Sequence, residues 1–104
     1  MKTFDDLEFI PHLSGNGKQS KMFFPNGYAI SVVRFKLADG QFYGSYTNNE
    51  TEWEVAILIG DETDWNICYT TPIANDVIGY LNKDGVTQIM KEIQELPMAN
   101  FKLN

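Results

Sequence analysis

Two knots of acid flank one apolar run in NNETEWEVAILIGDETDW, residues 48–65. Glu50, Glu52 and Glu54 precede the run, and Asp61, Glu62 and Asp64 follow it. Residues of this type support three kinds of chemistry. Carboxylate oxygens ligate hard cations, a pair in unequal environments performs acid–base catalysis, and a clustered field attracts a basic partner. DETDWN (Asp61–Asn66) lacks the alternating oxygen ligands and sixth-position glycine of a calcium loop. If the run is a strand, Glu52 and Glu54 share a face with Cα atoms about 6.6 Å apart, from a rise of ~3.3 Å per residue. Nothing near them in sequence separates their environments as a catalytic pair requires. Two readings stay open. The plain one makes the acids the solvated end of a half-covered strand. The sharper one is a partner-binding surface of Glu50, Glu52, Glu54, Asp61, Glu62, Asp64 and Trp65, with Trp53, Tyr43 and Tyr46 as further anchors, since Trp and Tyr dominate binding hot spots.

Other chemistry is harder to assemble. His12 is the single histidine and Cys68 the single cysteine, so one chain cannot build the usual four-ligand zinc site from them. A serine nucleophile would depend on His12 as its sole base, on a loop beside Pro11. Cys68 sits between Ile67 and Tyr69, the setting of a small buried thiol. GNGKQS (Gly15–Ser20) resembles a phosphate loop only superficially. His12 stands where the first glycine belongs, Gln19 stands where Ser or Thr belongs, and a strand follows where a helix is needed. The expectation is no catalytic residue, no metal ligand and no cofactor.

The net charge is -6, and it is unevenly placed. Residues 37–82 contain Asp39, Glu50, Glu52, Glu54, Asp61, Glu62, Asp64 and Asp76 with no Lys or Arg. Such a field repels phosphate backbones and anionic lipid, so neither nucleic acid nor membrane is expected as a partner. The electrostatic complement is a protein with a basic surface, and a homodimer is compatible with the sequence. Asp5, Asp6 and Glu8 fall where a signal peptide needs apolar residues, and no apolar run approaches a membrane span of ~20 residues. With a lone cysteine, a reducing cytoplasm fits best.

The elements that must position these residues are legible from periodicity. The 104 residues, 43% hydrophobic, suffice for one domain (1–104) with a real core. Thr3 can cap a turn over Phe4–Leu7, and Glu8–Ile10 is extended before Pro11. HLSGNGKQS (12–20) is a loop by composition. Lys21–Phe24 and Tyr28–Leu37 are strands joined by the turn PNG (Pro25–Gly27). Strands follow over Gln41–Thr47, Glu52–Ile59 and Trp65–Thr70, with a turn at Gly60–Asp64. In the Glu52 strand, Trp53, Val55, Ile57 and Ile59 make a core face, while Glu52, Glu54, Ala56 and Leu58 begin wet and end apolar. Residues 71–81 read as irregular with a turn of helix, an edge strand over Val77–Tyr80 being the other option. Val86, Ile89, Met90, Ile93 and Leu96 then define an amphipathic helix over Lys83–Leu96, with Asn82 or Asp84 as cap and Pro97 as stop. The expected fold is α+β: an antiparallel meander of four to five strands with one C-terminal amphipathic helix packed on one face.

Three stretches, FFPNGYAISVVRF (Phe23–Phe35), YGSYTNNETEWEVAILIG (Tyr43–Gly60) and TPIANDVIGYLNKDGVTQIMKEIQEL (Thr71–Leu96), carry a further signal. Through them the chain resembles a family of small proteins encoded by tailed bacteriophages and prophages of enteric bacteria. The resemblance spans about Phe4 to Leu96. It implies a phage origin and residence in the host cytoplasm, and it carries over no catalytic or binding residue. The expected role is a phage accessory protein that binds a host or phage protein without catalysis, as a DNA-charge mimic in one special form. The alternatives are a minor assembly component acting as a homo-oligomer, and an enzyme.

Overall fold

A computed structural model describes residues 1–11, 17–36, 42–43, 52–68, 71–73 and 77–99. The periodic stripe in the C-terminal third forms helix α1 (Lys83–Gln94), and Val86, Met90 and Ile93 on it are fully buried. At 12 residues it is marginal alone, so packing must hold it. Burying each of those three side chains stabilises by ~1.5–3 kcal/mol. Asn82 starts the helix, its side chain accepting from the Gly85 amide at 2.8 Å.

The surface under α1 is an antiparallel sheet. Its strands are β1 (Ile10–Pro11), β2 (Gly17–Phe23), β3 (Tyr28–Lys36), β4 (Phe42–Tyr43), β5 (Trp53–Asp61), β6 (Asp64–Ile67) and β7 (Ile78–Leu81). The order across the sheet is β1-β2-β3-β5-β6. β4 pairs only with Phe35 and Lys36, beyond the Tyr28–Val33 stretch of β3 that pairs β5. β6 and β7 share the far edge of β5, β6 along Leu58–Asp61 and β7 along Trp53–Val55. Register places Ile30 opposite Ile57 and Val32 opposite Val55. These four, with Phe24, Trp53, Cys68 and the helix stripe, belong to one buried apolar cluster.

The N-terminal segment closes the open end of this cluster. Phe4–Asp6 is a single 3-10 turn in which Asp6 accepts from the Thr3 amide at 2.9 Å. The Phe4 amide donates to the Thr87 hydroxyl, and Lys2 and Gln94 exchange two bonds of 2.9 Å. Phe4, Phe9 and Trp53 then pack ring on ring, with centroids 4.6–5.6 Å apart.

Several expectations are corrected. Gly17–Ser20, read as loop, is strand, because β3 pairs all four residues and β1 pairs Lys18 and Gln19 from the other side. Residues 78–81 are strand and not a turn of helix, recruited by Trp53 and Val55 of β5. Gly60, Asp61 and Asp64 belong to strands, which leaves only Glu62 and Thr63 as the turn. The helix ends at Gln94, short of Leu96. Residues 12–16, 44–50 and 69–70 lie outside the described part, so the ends of the Gln41–Thr47 and Trp65–Thr70 strands do too.

The hairpin between β2 and β3 sets where the helix stops. Gly27, at φ +87°, follows a turn closed by Gly27 N–H to Phe24 O, the three-residue hairpin loop in which a left-handed position favours glycine. That turn points Asn26 at α1. Its Nδ2 donates to the carbonyls of Ile93 (2.9 Å) and Leu96 (3.1 Å), its Oδ1 accepts from the Tyr28 amide, and its carbonyl accepts from Ala99. Asn26→Ala should lower unfolding free energy by about 1–3 kcal/mol, read from urea melts. Asn26→Asp should cost more, since it replaces the donor with a negative charge at the helix C-terminus.

Ser20 is a second test of the packing. It is opposite Val32 and only 3% exposed, and its hydroxyl has no hydrogen-bond partner among the described residues. An unsatisfied buried hydroxyl costs about 1–3 kcal/mol. Ser20→Ala should therefore stabilise the fold by about 1 kcal/mol, raising the urea midpoint with an unchanged slope.

Candidate functional site

β5 is the axis of the acidic stretch, and it separates the two knots. Glu54 and Asp61 are seven residues apart along one strand, about 23 Å at ~3.3 Å per residue. That distance separates Glu54 from Asp61, Glu62 and Asp64. Glu50 lies outside the described residues. Glu52 is half-buried, and Glu54 is 8% exposed. Placing Glu54 on a wet rim is thus a correction: its face of the sheet, shared with the fully buried Ala29 and Leu58, is covered there. Strand alternation assigns a side chain to a face but carries no information on what covers that face.

The second knot is exposed. Asp61, Glu62, Asp64 and Trp65 lie together at the β5–β6 turn. The close approach of β6 to β5 begins at Gly60, whose φ is +128° and where a Cβ would run into the Asp64 carbonyl oxygen. Its amide donates to Gly27 O at 3.0 Å, which ties this turn to the β2–β3 hairpin. Between the two turns is an open cleft of about 520 Å³ with Phe23 and Pro25 on one wall and Asp61, Glu62 and Thr63 on the other.

Asp61 builds the turn. It accepts from the Thr63 hydroxyl (2.8 Å) and from the Thr63 and Asp64 amides (2.9 Å each). The Thr63 hydroxyl first, then those two amides, hold its carboxyl below the ordinary carboxylate value. All three bonds fall on Oδ1, so one oxygen of Asp61 is committed to the turn, while Glu62 and Asp64 are exposed beside it.

Of the proposed aromatic anchors, Trp53 is core and Trp65 is 38% exposed. Tyr43's side chain and Tyr46 lie outside the described residues. Trp65 shares its face of β6 with Ile67, equally exposed, which sequence reading left out. The Lys21 ammonium lies 5.0 Å from the Trp65 ring centroid. Lys21 reaches it across β3 and β5 in a row where the opposing residues are Ser31 and Ala56, small enough for the stem to pass. A buried counterpart lies on the helix face, where the Arg34 guanidinium is 5.5 Å from Trp53.

Among the described residues, no group of three or more His, Cys, Asp or Glu could hold a metal ion. Cys68 is buried in the core and His12 lies outside the described residues. Among the described residues no helix is long and apolar enough to cross a membrane. No protein-family model, curated protein or solved structure matches the chain. At the exposed end of the sheet, Glu62 in the turn and Asp64 on β6 lie beside two exposed apolar side chains, Trp65 and Ile67.

The structural role of Asp61 has a pH signature. Its folded pKa is depressed, so its contribution is complete above the unfolded value near 4 and is lost as pH falls through the folded value. The stability gap between wild type and Asp61→Ala should be constant from about pH 7 to about pH 5 and then shrink on further acidification. Urea melts across that range read it directly.

Proposed function

We propose that the chain is a small accessory protein of a tailed bacteriophage that acts in the host cytoplasm as a noncatalytic binder of a host or phage protein. The observation that carries this reading is the juxtaposition of outward Glu62 and Asp64 with exposed Trp65 and Ile67 on β6. An aromatic anchor within a charged rim is the makeup of a protein-binding hot spot, and the rim accelerates encounter with a basic partner. The net charge of -6 acts in the same direction. The phage origin rests on the sequence resemblance.

The charge-mimic form of this reading has less support. A mimic of a phosphate backbone needs a continuous acidic track. Here the two knots are a strand length apart and Glu54 is withdrawn from solvent. A homo-oligomeric assembly component is the second reading, favoured by the exposed edge of β6 and opposed by like charge on every copy.

The test is affinity capture from phage-infected bacteria with tagged wild type and with a variant carrying Glu62→Lys and Asp64→Lys. Both positions are exposed, so the variant should remain folded. Wild type should recover partners that the variant loses, and recovery should fall between about 0.1 and 0.5 M salt as screening shortens the Debye length. Equal recovery by both proteins removes the acidic turn from the binding site.

A further inference from the structure

We infer that β6 receives an extended segment of the partner as an added strand, and that this segment alternates basic with apolar residues. The inference rests on the binder reading above and specifies its mode and the chemistry of the occupant.

The hydrogen-bond phase of the sheet supplies the first argument. Cys68 N–H donates to Ile57 O at 2.8 Å, so Ile57 and Cys68 form a hydrogen-bonded pair. Antiparallel pairs alternate between bonded and non-bonded. Leu58 opposite Ile67 and Gly60 opposite Trp65 are therefore the non-bonded pairs. The N–H and C=O groups of Trp65 and Ile67 consequently point away from β5, along an edge with no further strand among the described residues. Four backbone groups are presented in the geometry that strand addition uses.

Two other edge strands carry protections that β6 lacks. β1 is two residues long and contains Pro11. β7 meets β5 through a register shift between Trp53 and Val55. Short edge strands, proline and bulges are the usual protections against edge pairing. β6 has neither proline nor a register shift along Leu58–Asp61.

Side-chain alternation specifies the occupant. Trp65 and Ile67 project on one face, and Asp64 and Asn66 on the other. An added strand places every second side chain on each face. Apolar side chains fit against Trp65 and Ile67. Basic ones fit beside Asp64 on the opposite face, with exposed Glu62 nearby in the turn. Lys21 over Trp65 reinforces this parity, because it repels a cation on the apolar side. A second copy of this chain fits the backbone geometry, since pairing centred on Asn66 would set Trp65 against the copy's Ile67. Charge decides against it: each copy has a net charge of -6 and brings Glu62 and Asp64 to the same edge.

The probe is an acetylated, amidated hexapeptide of alternating lysine and valine, titrated by fluorescence anisotropy and by amide NMR. Controls are the same composition in two blocks and the alternating glutamate–valine peptide. The expected result is binding of the alternating basic peptide below ~1 mM, slowed exchange of the Trp65 and Ile67 amides, and no binding of either control. Ile67→Pro removes an outward N–H together with the exposed Ile67 side chain, at a position where an edge strand tolerates proline. It should weaken binding at least about tenfold. Ile67→Lys, which keeps the N–H and leaves the β5 pairing intact, should do the same and covers the case in which the proline variant does not fold.

Absence of binding at ~1 mM, binding indifferent to both Ile67 variants, or equal binding of the block peptide overturns the proposal. So does self-association through β6 that strengthens with salt. Captured partners separate the two levels of the argument. Partners lost by the Glu62→Lys, Asp64→Lys protein but kept by Ile67→Pro would refute strand addition and leave the binder reading standing. Partners kept by all variants would refute both.

Discussion

The side chain of Asn26 joins the two layers of this protein. It leaves a hairpin turn in the sheet and satisfies two carbonyls at the end of α1, while its own backbone carbonyl takes the Ala99 amide. Helix termini leave carbonyls that must find donors. Here the donor comes from the element against which the helix packs, so satisfaction of the helix end and registration of helix on sheet are one event. Gly27, next in sequence, both gives the turn its left-handed residue and accepts the Gly60 amide. Through those two residues the helix end, the β2–β3 hairpin and the β5–β6 turn are fixed in one place. Glu62, Asp64 and Trp65 project from that anchored end.

This arrangement explains why Glu52 and Glu54 stand apart from Asp61, Glu62 and Asp64. β5 is rigid along its length because β3 pairs its middle and β6 and β7 pair its two halves. A paired strand is a spacer, and it holds the knots apart. One knot is drawn toward the interior at Glu54. The other is organised by Asp61, whose oxygen serves the turn and leaves its neighbours to face solvent.

The layout was legible in the sequence wherever a period was long and unbroken. β3 and β5 announced themselves through β-branched residues, and α1 through Val86, Met90 and Ile93 at helical steps, so the antiparallel sheet with its covering helix could be read directly. Where strand identity came from neighbours, the reading missed. The glycine and polar residues at Gly17–Gln19 look like a loop and become strand only between β1 and β3, and Ile78–Leu81 depends on the edge of β5. The candidate site was legible in kind and not in membership. Asp61, Glu62, Asp64 and Trp65 stand together at the β5–β6 turn because they are neighbours in sequence, but Ile67, Lys21 and the burial of Glu54 follow from register and from coverage of a face, and a single strand encodes neither.

The two-way bond between Lys2 and Gln94, with Phe4 held by Thr87, joins the first turn of the chain to the helix that follows the last strand. During synthesis every strand leaves the ribosome before α1 does. Until the helix emerges, the apolar face formed by Ile30, Val32, Val55 and Ile57 has no cover, and Phe4 has no helix to dock on. Closure of the interior is therefore a late step that joins the Phe4–Asp6 turn to α1. The unfinished sheet, with its apolar face uncovered, is the form of this protein most exposed to capture or to degradation.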